Sequence, residues 1–318
     1  MALFTACDTG DLSEVCRWEE SVAGAELNVA IGLNRLGHDA RYLCKVGRDP
    51  FGFRVLDVMR TEHLDTSMVT LDHSHHTGFM MKSKVTHGDP LTFYMRANSA
   101  ASTLSSADVS QADWNGVTLM HLTGILPALS ETTKDASQTL IDEARERGVF
   151  VSFDPNLRPA LWPSRDQMRT TLLHLAAQAD LVFPGIAEGR ELFGADTEED
   201  VAEAFLDNGA KTVIVKNGAQ GALIANRNWM KHIAGFHVDS VVDTVGAGDG
   251  FAAGVLSALL EGRDLSEAVK RGCAIGAVQT QFVSDNAGLP NPAELKRFMS
   301  THERTGIAHH LSRSSQPA

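Results

Sequence analysis

The sequence predicts an α/β protein: a central, mostly parallel sheet with helices on both faces, a three-layer α/β/α sandwich, and a small β-sheet lid beside it. Three observations carry this. From about residue 119, short apolar runs alternate with helical patterns, the rhythm of a parallel sheet covered on both sides. Two strand-like stretches near residues 77–97 break that rhythm. A glycine-rich segment, DTVGAGDGFAAG (243–254), sits just ahead of an apolar helix.

Taken in chain order, ELNVAIGLNRLG (26–37) reads as an amphipathic helix stopped by Gly37, and DARYLCKVG (39–47) as the strand after it. TGFMMKSKV (77–85) and LTFYMR (91–96) form an antiparallel hairpin around the turn composition THGDP. With residues about 10–22 they make the lid. LMHLTGI (119–125) is a buried strand, 131–147 a helix with Ala136, Leu140, Ile141 and Ala144 apolar, and VFVSFD (149–154) the next strand. A helix about 166–178, the strand ADLVFP (179–184), a helix about 198–208 and the strand TVIVK (212–216) continue the alternation. VIVKNGAQGALI (213–224) folds back on itself, with Asn217-Gly218 and Gly221 suited to a hairpin. FHVDSVVDT (236–244) is strand-like, and FAAGVLSALLEG (251–262) is an apolar helix. Residues 1–300 read as one domain, and 301–318, polar and irregular, as a disordered tail.

The bulk numbers exclude some functions. A net charge of -12 argues against a nucleic-acid backbone or an anionic membrane as partner. Local arginines and backbone N–H groups can still hold a small anion. The four cysteines form no C-x-x-C pair and fit a reducing cytosol. No 18-residue apolar run and no basic, apolar leader is present, so the expected location is cytoplasmic. His73, His75 and His76 lie in a polar stretch and read as a solvated loop.

VGAGD lies at a helix N-terminus, where several N–H groups lack partners and the dipole is positive. Gly246 and Gly248 leave room for an anion to approach, most naturally a phosphoryl group in transfer. Asp249 then has two readings. It is a first-turn acid that stabilises the helix, or it accepts a proton from a hydroxyl while the amides hold the phosphoryl group. The pattern is neither G-x-G-x-x-G, since Phe251 stands where glycine is needed, nor a Walker A loop.

DTVGAGDGFAAG resembles the C-terminal signature of the ribokinase-like (PfkB) carbohydrate kinases, and AGAELNVAIGLNRLG (23–37) with KVGRDPFG (45–52) resembles the N-terminal one. FYMRANSAAS (93–102), HLTGILPALS (121–130) and FDPNLRPALWP (153–163) are most similar to segments of the 2-keto-3-deoxygluconate kinases. The resemblance implies a ribokinase-like fold and MgATP-dependent phosphorylation of that sugar acid. It makes Asp249 the base and gives the amides of Gly246, Ala247 and Gly248 to the γ-phosphate. Gly24 and Asn28 would contact sugar hydroxyls, Tyr94 and Arg96 would reach in from the hairpin, and Arg158 from the D-x-N-x-R loop. Lys216, Gly218 and Gly221 would border ATP, with Gly248, Ala277 and Asn286 at the adenine. Glu188 would hold magnesium through a water, although Gly185 replaces the family's usual asparagine. The chain begins partway through the family's first strand, so that strand is expected to be shortened or its start to be late. A lid-to-lid homodimer is expected. The alternatives are a fructokinase, ribokinase or nucleoside kinase, or a non-catalytic sensor of the same fold.

Overall fold

The computed structural model describes residues 1–85 and 91–305, and the backbone of 310–312. Strands β1 (Ala2–Thr9) and β2 (Trp18–Val22) come first, then α1 (Ala25–Arg35), β3 (Cys44–Gly47), α2 (Pro50–Thr61), β4 (Val69–Asp72), β5 (Phe79–Lys84) and β6 (Thr92–Met95). A short α3 (Ser106–Ser110) leads to β7 (Leu119–Thr123), α4 (Glu131–Glu146), β8 (Phe150–Asp154), α5 (Arg165–Ala176) and β9 (Leu181–Val182). Next come α6 (Ile186–Phe193), α7 (Glu198–Asp207), β10 (Thr212–Lys216), β11 (Gly221–Asn226) and β12 (Trp229–Ala234). The chain closes with α8 (Ala247–Leu260), α9 (Leu265–Gln279), α10 (Pro292–Thr301) and β13 (His310–Ser312).

Seven strands form the main sheet in the order β13-β12-β11-β10-β9-β8-β7. Pairings are parallel from β7 to β10 and antiparallel from β10 to β13. The change at β10 follows from the loops. Residues 217–220 and 227–228 are too short for a crossover helix, so those strands must turn back as hairpins.

Alternate side chains of each central strand enter opposite cores. Ile214, Ile224 and Phe183 join α1, α2, α8 and α9 on one face, through Ile31, Met59, Leu256 and Ile275. Val213, Val215, Val182 and Phe153 join α4, α5 and α7 on the other, through Ile141, Leu172 and Phe205. That is the three-layer sandwich.

The lid is a separate four-stranded sheet, β2-β1-β5-β6. It contains β1, which the sequence places as a clipped strand of the main sheet; that assignment is corrected here. Ala2–Thr5 run parallel to Phe79–Lys82, and Ala2–Ala6 pair antiparallel with Val22–Trp18. Among the described residues no strand joins β3 to β7, and an apolar cavity of about 380 Å³ lies between them, lined by Val29, Leu33, Cys44, Val46, Leu119 and Leu122. The expected β5–β6 hairpin forms, pairing Phe79 with Met95 and Lys82 with Thr92, while its turn, 86–90, lies outside the described residues. The KVGRDPFG segment fastens the lid: Asp49 accepts from Thr77 N (2.7 Å) and caps α2 at Gly52 N (2.8 Å).

Two further expectations change. FHVDSVVDT is not a strand. The N–H groups of Val242 and Asp243 donate to the Thr280 carbonyl at the end of α9, and Val241 and Val242 are exposed. The tail is not irregular throughout. Thr305 and Arg304 hydrogen-bond the 219–235 region, and 310–312 pair with β12; residues 306–309 and 313–318 lie outside the described set.

Candidate active site

The site is built where the carboxyl ends of the parallel strands meet the start of α8. Gly246 caps that helix with φ 77°, and a Cβ there would lie 2.0 Å from the Asp285 carbonyl oxygen, so only glycine fits. No side chain caps the helix. Ala247 N makes a long bond to Thr244 O (3.3 Å), and the first intrahelical bond is Gly250 N to Gly246 O (2.8 Å). The amides of Gly248 and Asp249 therefore have no carbonyl within the helix to take them, which leaves them for an anion.

Asp249 is brought to Asn28, 221 residues away in sequence, by close packing of α1 on α8. At Gly32 a Cβ would come within 2.7 Å of Ala253 Cβ, so the helices touch backbone to backbone there. One turn along each helix lie Asn28 and Asp249. The Asn28 amide donates to Asp249 Oδ2 at 2.8 Å. Gly32→Leu should drive the helices apart. The expected result is a loss of about 1–3 kcal/mol, read from denaturant midpoints, together with loss of turnover.

Burial pushes the Asp249 carboxyl up to about 7; Asn28 opposes this, Asp154 and Asp285 add to it, and Lys216 opposes it. Asp249 nevertheless keeps a partly accessible face. Lys216, at the end of β10, donates to Asp154 Oδ2 at 2.5 Å, at the end of β8. Its ammonium lies under the glycine loop, 3.7 Å from where a Gly248 Cβ would stand. Burial works against that charge, but Asp154, Glu188 and Asp249 outweigh it and the pKa is raised.

Glu188, in the first turn of α6, accepts from Gly185 N (2.7 Å) and Leu157 N (2.9 Å). Burial raises its pKa, and Lys216 opposes the rise. These bonds cap the helix and hold the D-x-N-x-R loop, a structural role independent of metal. Among the described residues no three acidic, histidine or cysteine side chains form a metal cage. Glu188 and Asp154 suit a magnesium that keeps its waters and is held mainly by phosphate oxygens.

The lid brings Arg96 and Tyr94 together. Arg96 is 5% exposed, and its Nε and Nη2 have no hydrogen-bond partner among the described residues. Its guanidinium stacks over the Tyr94 ring at 4.0 Å. Burial pulls its pKa down to about 10; Tyr94 and Glu26 oppose this, and nearby Arg158 adds to it. Arg158 Nη1 donates only to the adjacent Leu157 carbonyl (2.8 Å). Among the described residues Ser99 Oγ and Asp285 Oδ1 are also buried without a hydrogen-bond partner. Gly24 caps α1 four residues before Asn28, its carbonyl accepting Asn28 N at 2.7 Å.

Of the residues expected at the nucleotide, Gly218 and Gly221 flank the turn after Lys216. Ala277 sits on α9 beside Gly276, which packs on Ala247 at the start of α8. Asn286, expected at the adenine, donates its amide to Val22 O, at the end of lid strand β2, and to Asn28 Oδ1, both at 3.0 Å. His73, His75 and His76 are exposed.

This arrangement matches known proteins. The model described as "pfkB family carbohydrate kinase" matches residues 2–292. The chain belongs to the PfkB family of carbohydrate kinases. It is 44% identical, over 96% of both chains, to 2-dehydro-3-deoxygluconokinase of Bacillus subtilis (strain 168). The solved PfkB protein from Polaromonas sp. JS666 superposes with a TM-score of 0.82 at 43% identity, covering 93% of this chain and 96% of the other. Fructokinase from Vibrio cholerae O395, solved with fructose, ADP and calcium, superposes at 0.83 with 28% identity over 93% and 96%. The chain is thus a ribokinase-like sugar kinase.

Sequence reasoning about this kinase missed four participants. Asp154 lies in FDPNLRPALWP, a segment in which the sequence points only to Arg158. Ser99 and Asp285 are unremarkable polar residues until their burial is known. Lys82, on β5, pairs at 2.5 Å with Asp243, the first residue of the glycine-rich segment; Lys82 is buried and Asp243 partly so. That ion pair ties the lid to the phosphate loop, and no local pattern joins positions 161 residues apart.

Proposed function

We propose that this PfkB kinase transfers the γ-phosphoryl group of MgATP to the 6-hydroxyl of 2-keto-3-deoxygluconate, also called 2-dehydro-3-deoxygluconate. One observation carries the choice of an acid over a neutral sugar. Arg96 is a buried cation whose Nε and Nη2 have no hydrogen-bond partner among the described residues; Arg158 opposes its charge, and the one carboxylate that favours it, Glu26, makes no ion pair with it. Burying an unpaired charge costs several kcal/mol. A substrate carboxylate offsets that cost and fits the planar fork bidentately. Ser99 Oγ and Asp285 Oδ1 provide a donor and an acceptor for hydroxyls.

The residues then divide the work. The amides of Gly248 and Asp249, with Gly246 and Ala247 shaping the turn, hold the transferring phosphoryl oxygens. Lys216 supplies a positive charge beneath them. Magnesium, when bound, neutralises phosphate charge, with Glu188 and Asp154 holding its waters. Gly24 borders the sugar hydroxyls, and Asn28, buried behind Asp249, orients that carboxylate toward them. Asp249 accepts the hydroxyl proton as the oxygen attacks. Lys216, Gly218, Gly221, Gly248 and Ala277 border the nucleotide in this reading. The lid closes over the acid and excludes water that would otherwise hydrolyse ATP.

A coupled ADP-release assay over a panel of sugars and sugar acids tests the assignment. The sugar acid should exceed fructose, ribose and nucleosides in kcat/KM by about a hundredfold or more, the range expected when a buried charge is left unpaired by the wrong substrate. A neutral sugar at the top of the panel would refute it.

The lid also supports a homodimer. Strand β6 is an edge, and Leu91, Phe93 and Met95 are exposed on or beside it. A second copy covers this face. Sedimentation should give a dimer at micromolar concentration for the native chain and a monomer for Phe93→Glu; a monomeric native chain would refute it. The cytosol is the proposed location, supported by four cysteines without disulfides.

A further inference from the structure

We infer that Asn286 is a positioning residue that fixes the direction of a hydrogen-bond chain running from the lid to the Asp249 carboxylate. The inference rests on the reading of Asp249 as the proton acceptor. The chain has three bonds. Asn286 Nδ2 donates to Val22 O at 3.0 Å and to Asn28 Oδ1 at 3.0 Å, and Asn28 Nδ2 donates to Asp249 Oδ2 at 2.8 Å.

Val22 sets the direction. It ends lid strand β2, and its backbone carbonyl can only accept. The atom of Asn286 facing it must be the NH2 group. The second hydrogen of that group then meets the oxygen of Asn28, which turns the Asn28 NH2 toward Asp249. Asn28 is 1% exposed, so water does not compete for its amide. The Asn286 segment is gripped independently: Arg35 Nη1 donates to the carbonyls of Asn286 (3.0 Å) and Leu289 (2.7 Å), and Arg35 pairs bidentately with Glu62.

Direction matters because Asp249 is surrounded mostly by negative groups. Asp154 faces it from the end of β8 and Asp285 from the segment after α9; Lys216, at the end of β10, is the opposing cation, itself shared with Glu188 of α6. A donor from Asn28 favours the ionised base. A reversed amide would present an oxygen and favour the protonated, inactive form.

Asn286→Asp reverses the chain, because a carboxylate at 286 can only accept and draws the Asn28 NH2 to itself. Its expected effect is an upward shift of the acid limb of kcat/KM by about one pH unit, a roughly fivefold loss at pH 7 that approaches tenfold at lower pH and is largely recovered by pH 9. Asn286→Ala deletes the donor that fixes the Asn28 amide, leaves that amide free to turn either way, and should shift the limb upward by less than Asn286→Asp does. A loss of equal factor at every pH in both variants would mean a merely structural role and overturn the inference. A second readout needs neither variant nor turnover. In ¹⁵N spectra of the wild-type protein, the Asn28 side-chain NH2 should titrate with the same midpoint as the acid limb. If the sugar is not phosphorylated, the functional reading fails while this titration still reports on the chain. An Asn28 amide that does not titrate would overturn the inference by itself.

Discussion

Asp249→Asn is expected to fold, bind ATP and lose phosphoryl transfer, by at least the roughly 10²- to 10⁴-fold that a positioned base contributes. Asparagine keeps the size of the side chain and can still accept the Asn28 hydrogen bond, so a loss of rate reports on the proton and not on packing. The same site fixes the pH dependence. With its pKa pushed up to about 7, chiefly by burial, Asp249 is largely protonated below that pH. Wild-type kcat/KM should therefore fall about tenfold per unit below pH 7, and the residual rate of the variant should lack this limb. Stability should move the opposite way. The folded pKa lies above the unfolded value of about 3.9. The native state thus favours the protonated form, and its stability declines as pH rises from about 4 through 7. Asp249→Asn should raise the Tm at pH 8, with the gain vanishing as pH falls toward 4. A variant that turns over normally, or is less stable at pH 8 than at pH 5 relative to wild type, would contradict this account.

The second large effect is Arg96→Ala. Truncating one partner of a buried charge pair costs about 2–4 kcal/mol, or roughly 30- to 1000-fold in kcat/KM for the sugar acid. Neutral sugars should lose little. The free protein should be no less stable than wild type, because the substitution removes a buried cation whose Nε and Nη2 have no hydrogen-bond partner among the described residues and which Glu26 favours only from a distance. The Tm increase on adding sugar acid should disappear. Equal losses for acids and neutral sugars would indicate that Arg96 only supports the lid through Tyr94.

Features that depend on local chemistry were legible in the sequence. The β7–β10 alternation, helices α4, α5 and α7, the lid hairpin and the phosphate loop all carry periodicity or glycine signals within a few residues. Features that depend on distant partners were not. FHVDSVVDT has the composition of a strand, but its amides are taken by Thr280 at the end of α9. The first nine residues are strand-like, and nothing local says which of two sheets they join. Asn286 carries no motif; its role follows only from meeting Val22 and Asn28, more than 250 residues earlier. Lys82 and Asp243 are likewise joined only by the fold. Arg96 was visible as a candidate, but its argument, a buried guanidinium with idle donors, belongs to the structure alone.

The most direct test of the account is to incubate the wild-type protein with MgATP and 2-keto-3-deoxygluconate at pH 8 and quantify both products. Equal amounts of ADP and the 6-phosphorylated acid are expected. ADP without the phosphorylated acid, or no ADP while a neutral sugar is phosphorylated, would contradict it.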